Sequence, residues 1–392
     1  MQEAFILSGA RTPIGRYGGA LAHTRPDDLA ALAVGEALSR AGIDPQLIDE
    51  VILGGANQAG EDNRNVARVA VLLAGLPQSI PGFTVNRLCA SGMTAIATAR
   101  QMIAADDAHV VIAGGVESMT RAPWVQEKPS KPFAKPGAAF DTSIGWRFTN
   151  PRFPAETTLS MPETAEEVAR RWKLTREDCD AFALQSHERA IDAIKNGRFD
   201  EEIIPVPVRG GEFAEDEGPR AESTLEKLGS LRPLFGPDGV VTAGNASSLN
   251  DGAAATVIVS ERFLLAHDLT PRARIVASAN VGIEPAVMGI GPVPATRKVL
   301  GRAGWTIADL EAVELNEAFA SQSLACMRDL DLDPELVNAD GGAIALGHPL
   351  GASGTRITLT LLGRLERAGA NRGLATMCVG VGQGSALLLE RP

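Results

Sequence analysis

Apolar and polar positions along this 392-residue chain change period repeatedly. Residues 4–8 and 51–54 read as short strands. Residues 27–41 and 65–74 read as helices with an apolar stripe on one face, the first ended by Ile43–Pro45. Residues 84–85 form a short strand running into Asn86-Arg87-Leu88-Cys89-Ala90-Ser91-Gly92. From there to 105 the side chains are small and apolar, as in a helix buried on most of its surface. Residues 110–113 are continuously apolar and end in Gly114-Gly115. Unbroken runs of this kind predict strands covered on both faces, and so a layered α/β fold.

From about 117 to 243 the pattern breaks. This stretch is richer in Pro and charge, with one helix pair at 162–172 and 175–196 and a charged, loop-like run at 209–232. It reads as an insertion. The last third returns to the opening pattern. Strands are expected at 275–279, 312–315, 374–379 and 384–390, and helices at 317–330 and 353–368. Each half holds a small-residue turn that opens a buried helix, then an apolar strand ending in Gly. The pairs are LCASGM with VVIAGG, and GHPLGASG with LATMCVG. This echo suggests two similar halves from a duplication. The expected division is 1–117 plus about 244–270, an inserted loop domain at 118–243, and 271–392.

Composition narrows the picture. Apolar residues make up 45% of the chain and aromatics only 4%, so the core must be built from Ala, Val, Ile and Leu. The net charge of −11, with no Lys/Arg-rich block, argues against nucleic-acid binding but not against an anionic small ligand. No apolar run reaches the roughly 18 residues a membrane helix needs. The opening MQEAFILSGARTP lacks the features of a targeting sequence, so a cytoplasmic location is expected. The four cysteines and five histidines share no metal-ligand spacing, and no metal site is expected.

Four places carry candidate chemistry. Cys89 lies where a strand meets a helix start, where free N–H groups and the helix dipole favour a thiolate; the alternative is a buried structural cysteine. Cys378 ends an apolar strand before Val379-Gly380-Val381-Gly382-Gln383-Gly384, a glycine-rich turn able to expose N–H groups to an oxyanion; the alternative is a plain strand end. His348 is held in Gly347-His348-Pro349 and would suit a cysteine's base; a capping or core histidine is the alternative. Asn316, after the strand at 312–315, could hold a water or simply cap the next helix. His23, His109, His187 and His267 read as structural, as do Cys179 and Cys326.

Taken together, these segments resemble the thiolase family. The matching stretches are Asn86 to Met93, Asn316-Glu317-Ala318-Phe319, Gly341 to Gly354, and Met377 to Gly384, with further likeness at 10–15, 114–119, 242–247 and 288–292. The resemblance spans the chain. It implies two halves in a five-layered α/β/α/β/α core interrupted by a loop domain. It implies that Cys89 attacks a 3-ketoacyl-CoA and holds the acyl group as a thioester. His348 would take the Cys89 proton and help bind the thioester oxygen with a water on Asn316. Cys378 would be the acid/base, and the N–H groups of Cys89 and Gly380 a second oxyanion hole. Arg220 and Ser247 would meet CoA, and Phe235, Met288 and Phe319 would line the pocket. No cofactor is required, since CoA is itself a substrate. A homodimer or homotetramer is expected.

Condensing enzymes of the ketosynthase type share the duplicated fold but lack the second thiol. A lipid-binding, inactive relative would lack Cys89, His348 or Cys378. On substrate, the His-Met-Gly of short-chain biosynthetic thiolases is replaced here by Ser160-Met161-Pro162. The stretches 58–68, 141–148 and 161–165 instead look like thiolases acting on 3-oxoadipyl-CoA. That suggests Arg147 or Arg64 for a distal carboxylate, since Arg suits bidentate recognition; a solvated or structural arginine is the alternative. A general short-chain acetyl-CoA C-acetyltransferase remains the competing substrate reading.

Overall fold

The computed structural model describes residues 2–57 and 59–392. Met1 and Gln58, which belong to the opening run and to the 58–68 stretch, lie outside the described residues. One ten-stranded sheet organises the chain. Across it run Ala312–Leu315, Arg372–Val379, Gln383–Glu390, Ala273–Gly282, Ala4–Arg11, Asn250–Ser260, Val110–Ser118, Glu50–Gly54 and Gly82–Val85, with Gly15–Arg16 paired to Asn250–Ser260 off this path. C-terminal strands therefore fill one side and N-terminal strands the other. The seam between them is short, limited to Phe5 opposite Arg274 and Ile6 opposite Ala273.

Helices cover this sheet in a fixed order. Pro26–Ala41 and Val66–Leu73 pack their Leu29, Val34 and Val71 on Val51, Leu53 and Ile112. Pro292–Ala303 and Ala320–Leu330 pack Val299, Leu300 and Cys326 on Val313, Leu374 and Leu388 of the other half. Between them lie Ser91–Ala104 and Leu350–Ala368, whose Met93, Ile96, Ile357 and Leu361 cluster with strand residues of both halves. The result is the five-layered α/β/α/β/α core. The two central helices approach closely at glycines. A Cβ on Gly354 would lie 2.3 Å from the Met93 nitrogen, and one on Gly92 2.6 Å from Thr355 Oγ1. Any side chain there would separate the helix starts that carry the candidate cysteine and histidine.

Residues 118–243 contribute the helices Met161–Trp172 and Arg176–Lys195, each opened by a capping box, Ser160 with Glu163 and Thr175 with Asp178. Their Val168, Cys179 and Ala183 share an apolar cluster with Val287, Ala320 and Ile344. These two helices thus pack directly on residues from the last third of the chain.

Several sequence expectations need correction. The strand expected at 110–113 continues to Ser118, through both glycines. The longest strand, Asn250–Ser260, was not anticipated, nor was the helix Pro292–Ala303. The helix expected from 317 begins at Ala320 with Phe319 as its N-cap, because Asn316 and Glu317 are held by tertiary bonds instead. The helix expected from 353 begins at Leu350. Among the described residues no helix is long and apolar enough to cross a membrane.

Candidate active site

The turn bearing Cys89 is tied by its own polar side chains. Asn86 Oδ1 accepts the Leu88 N–H at 2.8 Å, and Ser91 Oγ accepts the Arg87 N–H at 2.9 Å while donating to the Leu88 carbonyl. Leu88 is thereby held left-handed, at φ 47°. The Cys89 sulfur accepts the N–H of Gly380 and is also served by its own N–H. The sequence led us to expect a favoured thiolate. The structure reverses this: burial outweighs both N–H groups, Glu117 adds repulsion, and the thiol is pushed up to about 11. Cys89 rests protonated and needs a base.

His348 is built as that base. Its backbone N–H donates to Asn250 Oδ1 at 2.9 Å, and its Nδ1 lies 2.6 Å from Ser353 Oγ. The Ser353 hydroxyl donates its single proton to the Pro349 carbonyl at 3.0 Å. It can therefore only accept from the ring, which assigns the proton to Nδ1 and the lone pair to Nε2. Nε2 is buried without a partner among the described residues. Burial, with Arg356 adding repulsion, pushes the imidazole down to about 3, so it stays neutral.

Asn316 gives its backbone N–H to the Thr376 carbonyl at 3.0 Å, beside the Cys378 strand. Its side chain is fully buried, and neither Oδ1 nor Nδ2 has a partner among the described residues. As Phe319 caps the helix, the capping role is excluded. Each unpaired buried polar atom costs about 1–3 kcal/mol. The fold spends stability here on groups it does not use. Next to Asn316, buried Glu317 accepts from Ser186 Oγ (2.6 Å), Asn338 Nδ2 (2.8 Å) and the Ile344 N–H (3.1 Å), joining the insertion to the segment that leads to His348.

Cys378 is 1% exposed, in an apolar cluster with Met288, Phe319, Ala318 and Val241, and with Met161 against it. Burial raises its thiol well above the usual range, and the charge of a Cys89 thiolate would raise it further. Gly380 follows two residues on. Its Cα lies under the Trp146 ring, which a Cβ there would meet at 3.3 Å. Segments 86–92, 348–355 and 376–382 thus converge. Cys326 stays outside this group, donating to the Gly289 carbonyl.

A cleft of about 710 Å³ opens beside this cluster. Arg220, Arg16, Lys227 and His187 supply its basic groups, and Ala246, Leu249 and Ile344 its apolar wall. Ser247 does not line it but binds the Ala318 carbonyl through its N–H, between the cleft and Cys378. Phe235 is 42% exposed and is in neither group. His187, read from sequence as structural, accepts the Arg220 N–H on Nδ1 at 3.2 Å and is kept neutral by burial and by Arg220 and Arg16. Its helical, polar context gave no hint of this.

Glu117 was also missed as an organising residue. Its buried carboxylate accepts the N–H groups of Ala56, Asn57 and Gly351, tying the loop after Glu50–Gly54 to the start of the helix Leu350–Ala368, and burial lifts it to about 7. Of the two candidate arginines, Arg64 is exposed on a left-handed turn, at φ 67°. Arg147 is half-buried and bound to Asn57.

A duplicated five-layer core with one buried and one half-buried thiol, a neutral imidazole and a basic cleft defines an acyl-transferring enzyme of the condensing and cleaving kind. The thiolase N-terminal domain matches residues 4–262 and the thiolase C-terminal domain residues 269–391, so the chain belongs to the thiolase family. It is 56% identical, over the full length of both, to the 3-oxoadipyl-CoA/3-oxo-5,6-dehydrosuberyl-CoA thiolase of Escherichia coli (strain K12). It is 55% identical to the beta-ketoadipyl-CoA thiolase of Pseudomonas aeruginosa, over 100% of this chain and 99% of that one. Among solved structures it resembles human mitochondrial 3-ketoacyl-CoA thiolase in complex with CoA, with a TM-score of 0.94 and 41% identity, covering 100% of this chain and 98% of that one. As a thiolase it is an acyltransferase that uses CoA substrates.

Proposed function

We propose that this thiolase cleaves 3-oxoadipyl-CoA with CoA, giving acetyl-CoA and succinyl-CoA, and that Cys89, His348, Asn316, Cys378 and Gly380 carry the reaction. His348 Nε2 takes the Cys89 proton as the sulfur attacks C3. The C2–C3 bond breaks, leaving the acyl group on Cys89 and an acetyl-CoA enolate that the Cys378 thiol protonates at C2. CoA then attacks the acyl-enzyme, giving its thiol proton to Cys378, and Cys89 leaves and recovers its proton from His348. The Gly380 and Cys89 N–H groups serve the oxygen on C3. Asn316, through a water, and His348 serve the thioester oxygen.

The observation that carries this reading is the fixed tautomer of His348, which presents an unpartnered, buried Nε2 lone pair as a base. A thiol and an imidazole that are both neutral at rest suit a proton transfer that occurs only on attack. CoA lies in the 710 Å³ cleft, its phosphates on Arg220, Arg16 and Lys227 and its chain passing Ser247, with Met288 and Phe319 walling the reacting end. Phe235 lies at the exposed rim. The named substrates of the two bacterial relatives support the dicarboxylic acyl chain. Thiolysis of 3-oxoadipyl-CoA against acetoacetyl-CoA at equal concentration tests it. A large kcat/KM preference for the first is expected; equal rates would make this a general short-chain enzyme.

The proposal extends to a cytoplasmic homodimer or homotetramer. Residues 118–153 expose Trp124, Phe133, Phe140 and Phe153, apolar surface suited to self-association. Sedimentation giving a single-chain mass would contradict it.

A further inference from the structure

We propose that Arg147 is the residue that recognises the free carboxylate at the far end of the acyl chain, which rests on the dicarboxylic reading above. Arg147 is half-buried, yet among the described residues no carboxylate pairs with it. Nearby Arg25 and Arg121, by contrast, are both bound to Glu61. In a chain of net charge −11, an arginine left without an acid beside a reaction centre invites an anionic ligand.

Its surroundings aim it. Arg147 donates through one Nη to Asn57 Oδ1 at 3.3 Å. The Asn57 amide cannot turn over. Its Nδ2 donates to the Thr142 carbonyl at 3.2 Å and to Thr142 Oγ1 at 2.7 Å, and that hydroxyl spends its proton on the Pro123 carbonyl. The Asn57 backbone N–H is in turn held by Glu117, the carboxylate that also fixes Gly351. So the acceptor that orients Arg147 belongs to the same bonded frame as the helix start that follows His348. One guanidinium edge is occupied, and the remaining N–H groups stay available for a planar, bidentate partner.

The backbone places it as well. Arg147 lies in a tight turn between Gly145, at φ 76°, and Phe148, at φ 53°. A left-handed phenylalanine is disfavoured and persists only where the structure around it demands it. Phe148 is pinned by an edge-on contact with Phe140, and Trp146 by its Nε1 bond to the Leu159 carbonyl. This turn lays Trp146 over Gly380, whose N–H points at the Cys89 sulfur. The residue next to Trp146 therefore stands at the edge of the space that an acyl chain on Cys89 would occupy. The ligand class this suits is a short acyl chain ending in a carboxylate, not a neutral chain.

The test compares wild type, Arg147→Ala and Arg147→Lys on 3-oxoadipyl-CoA and acetoacetyl-CoA, with binding of unreactive adipyl-CoA and hexanoyl-CoA measured calorimetrically. Arg147→Ala should lower kcat/KM for the dicarboxylic substrate by about 10- to 150-fold, the loss expected for a charged hydrogen-bond pair, and weaken adipyl-CoA by a similar factor. Acetoacetyl-CoA and hexanoyl-CoA should be nearly unaffected, and Arg147→Lys should restore part of the loss. A wild-type preference that survives in Arg147→Ala, or equal loss on both substrates, overturns the assignment while leaving the substrate reading intact. Absence of that preference in wild type overturns the substrate reading, and Arg147 with it.

Discussion

The turn that carries Cys89 and the strand end that carries Cys378 hold the same side chain in different surroundings. Cys89 follows a left-handed leucine at a helix start and receives two N–H groups. Cys378 ends a strand and is walled by Met288, Phe319 and Ala318. Burial raises both thiols, but Cys89 receives the Gly380 N–H as well as its own, a pair suited to negative charge on an adjoining oxygen, whereas Cys378 is served by its own N–H. The lesson is that neither site activates its sulfur at rest. On our proposal the difference lies in what happens during reaction. Cys89 loses its proton to a prepared base as it bonds carbon, whereas Cys378 keeps its proton until a carbanion forms beside it.

Substitutions can break this division. Cys89→Ala should lower kcat by about 10⁴-fold or more, the scale of removing a nucleophile from a catalytic unit, with no acyl-enzyme formed. Cys378→Ala should lower turnover by about 10²- to 10⁴-fold, the range for acid–base catalysis, while acylation by acetyl-CoA persists. Rapid-quench kinetics separates the two. Equal loss of acylation in both variants would erase the distinction.

Asn316 tests whether the unpaired atoms serve chemistry. Asn316→Leu should lower kcat by about 10²- to 10³-fold, as for loss of an oxyanion donor. Its Tm should hold or rise, because two unsatisfied buried atoms leave the core. A variant with lowered Tm and normal activity would show a structural role.

The pH response comes next. His348 is held neutral down to about 3, below its value in the unfolded chain. Its contribution to stability is therefore present above about 6.5 and is lost as pH falls toward 3. Wild type should lose Tm more steeply than His348→Asn over that window; parallel curves would contradict the assignment. The smallest effect is expected in the cleft. Arg220→Ala should raise KM for CoA by about fivefold, equivalent to about 1 kcal/mol for an exposed charge, with kcat little changed.

The sequence made some parts of this molecule plain and hid others. Strands such as Arg372–Val379 were visible because Leu, Met and Val mark them. The first half of Asn250–Ser260 was hidden because its Gly252-Ala253-Ala254-Ala255 run carries no strand signal, whereas Thr256-Val257-Ile258-Val259 carries one that was overlooked. Close packing demands those small residues: a Cβ on the neighbouring Gly114 would lie 2.2 Å from the Ala254 carbonyl. The prolines of Pro292–Ala303 disguised a helix that tolerates them in its first turn. In the expected site, Cys89, His348 and Cys378 stood out by their small-residue and glycine-rich settings, but it was the likeness to thiolases that grouped them with Asn316. Their supports were not. Ser353, Asn250 and Glu117 are common residue types whose roles depend on partners far along the chain. The Cys89 protonation state was misjudged for a related reason. A helix start is visible in sequence, but the burial that outweighs it is not.

The most direct test is to expose Cys378→Ala to acetyl-CoA, quench, and map the acetylated peptide by mass spectrometry. The account predicts one acetyl group per chain on Cys89. Acetylation at another residue, or none while wild type is labelled, would contradict it.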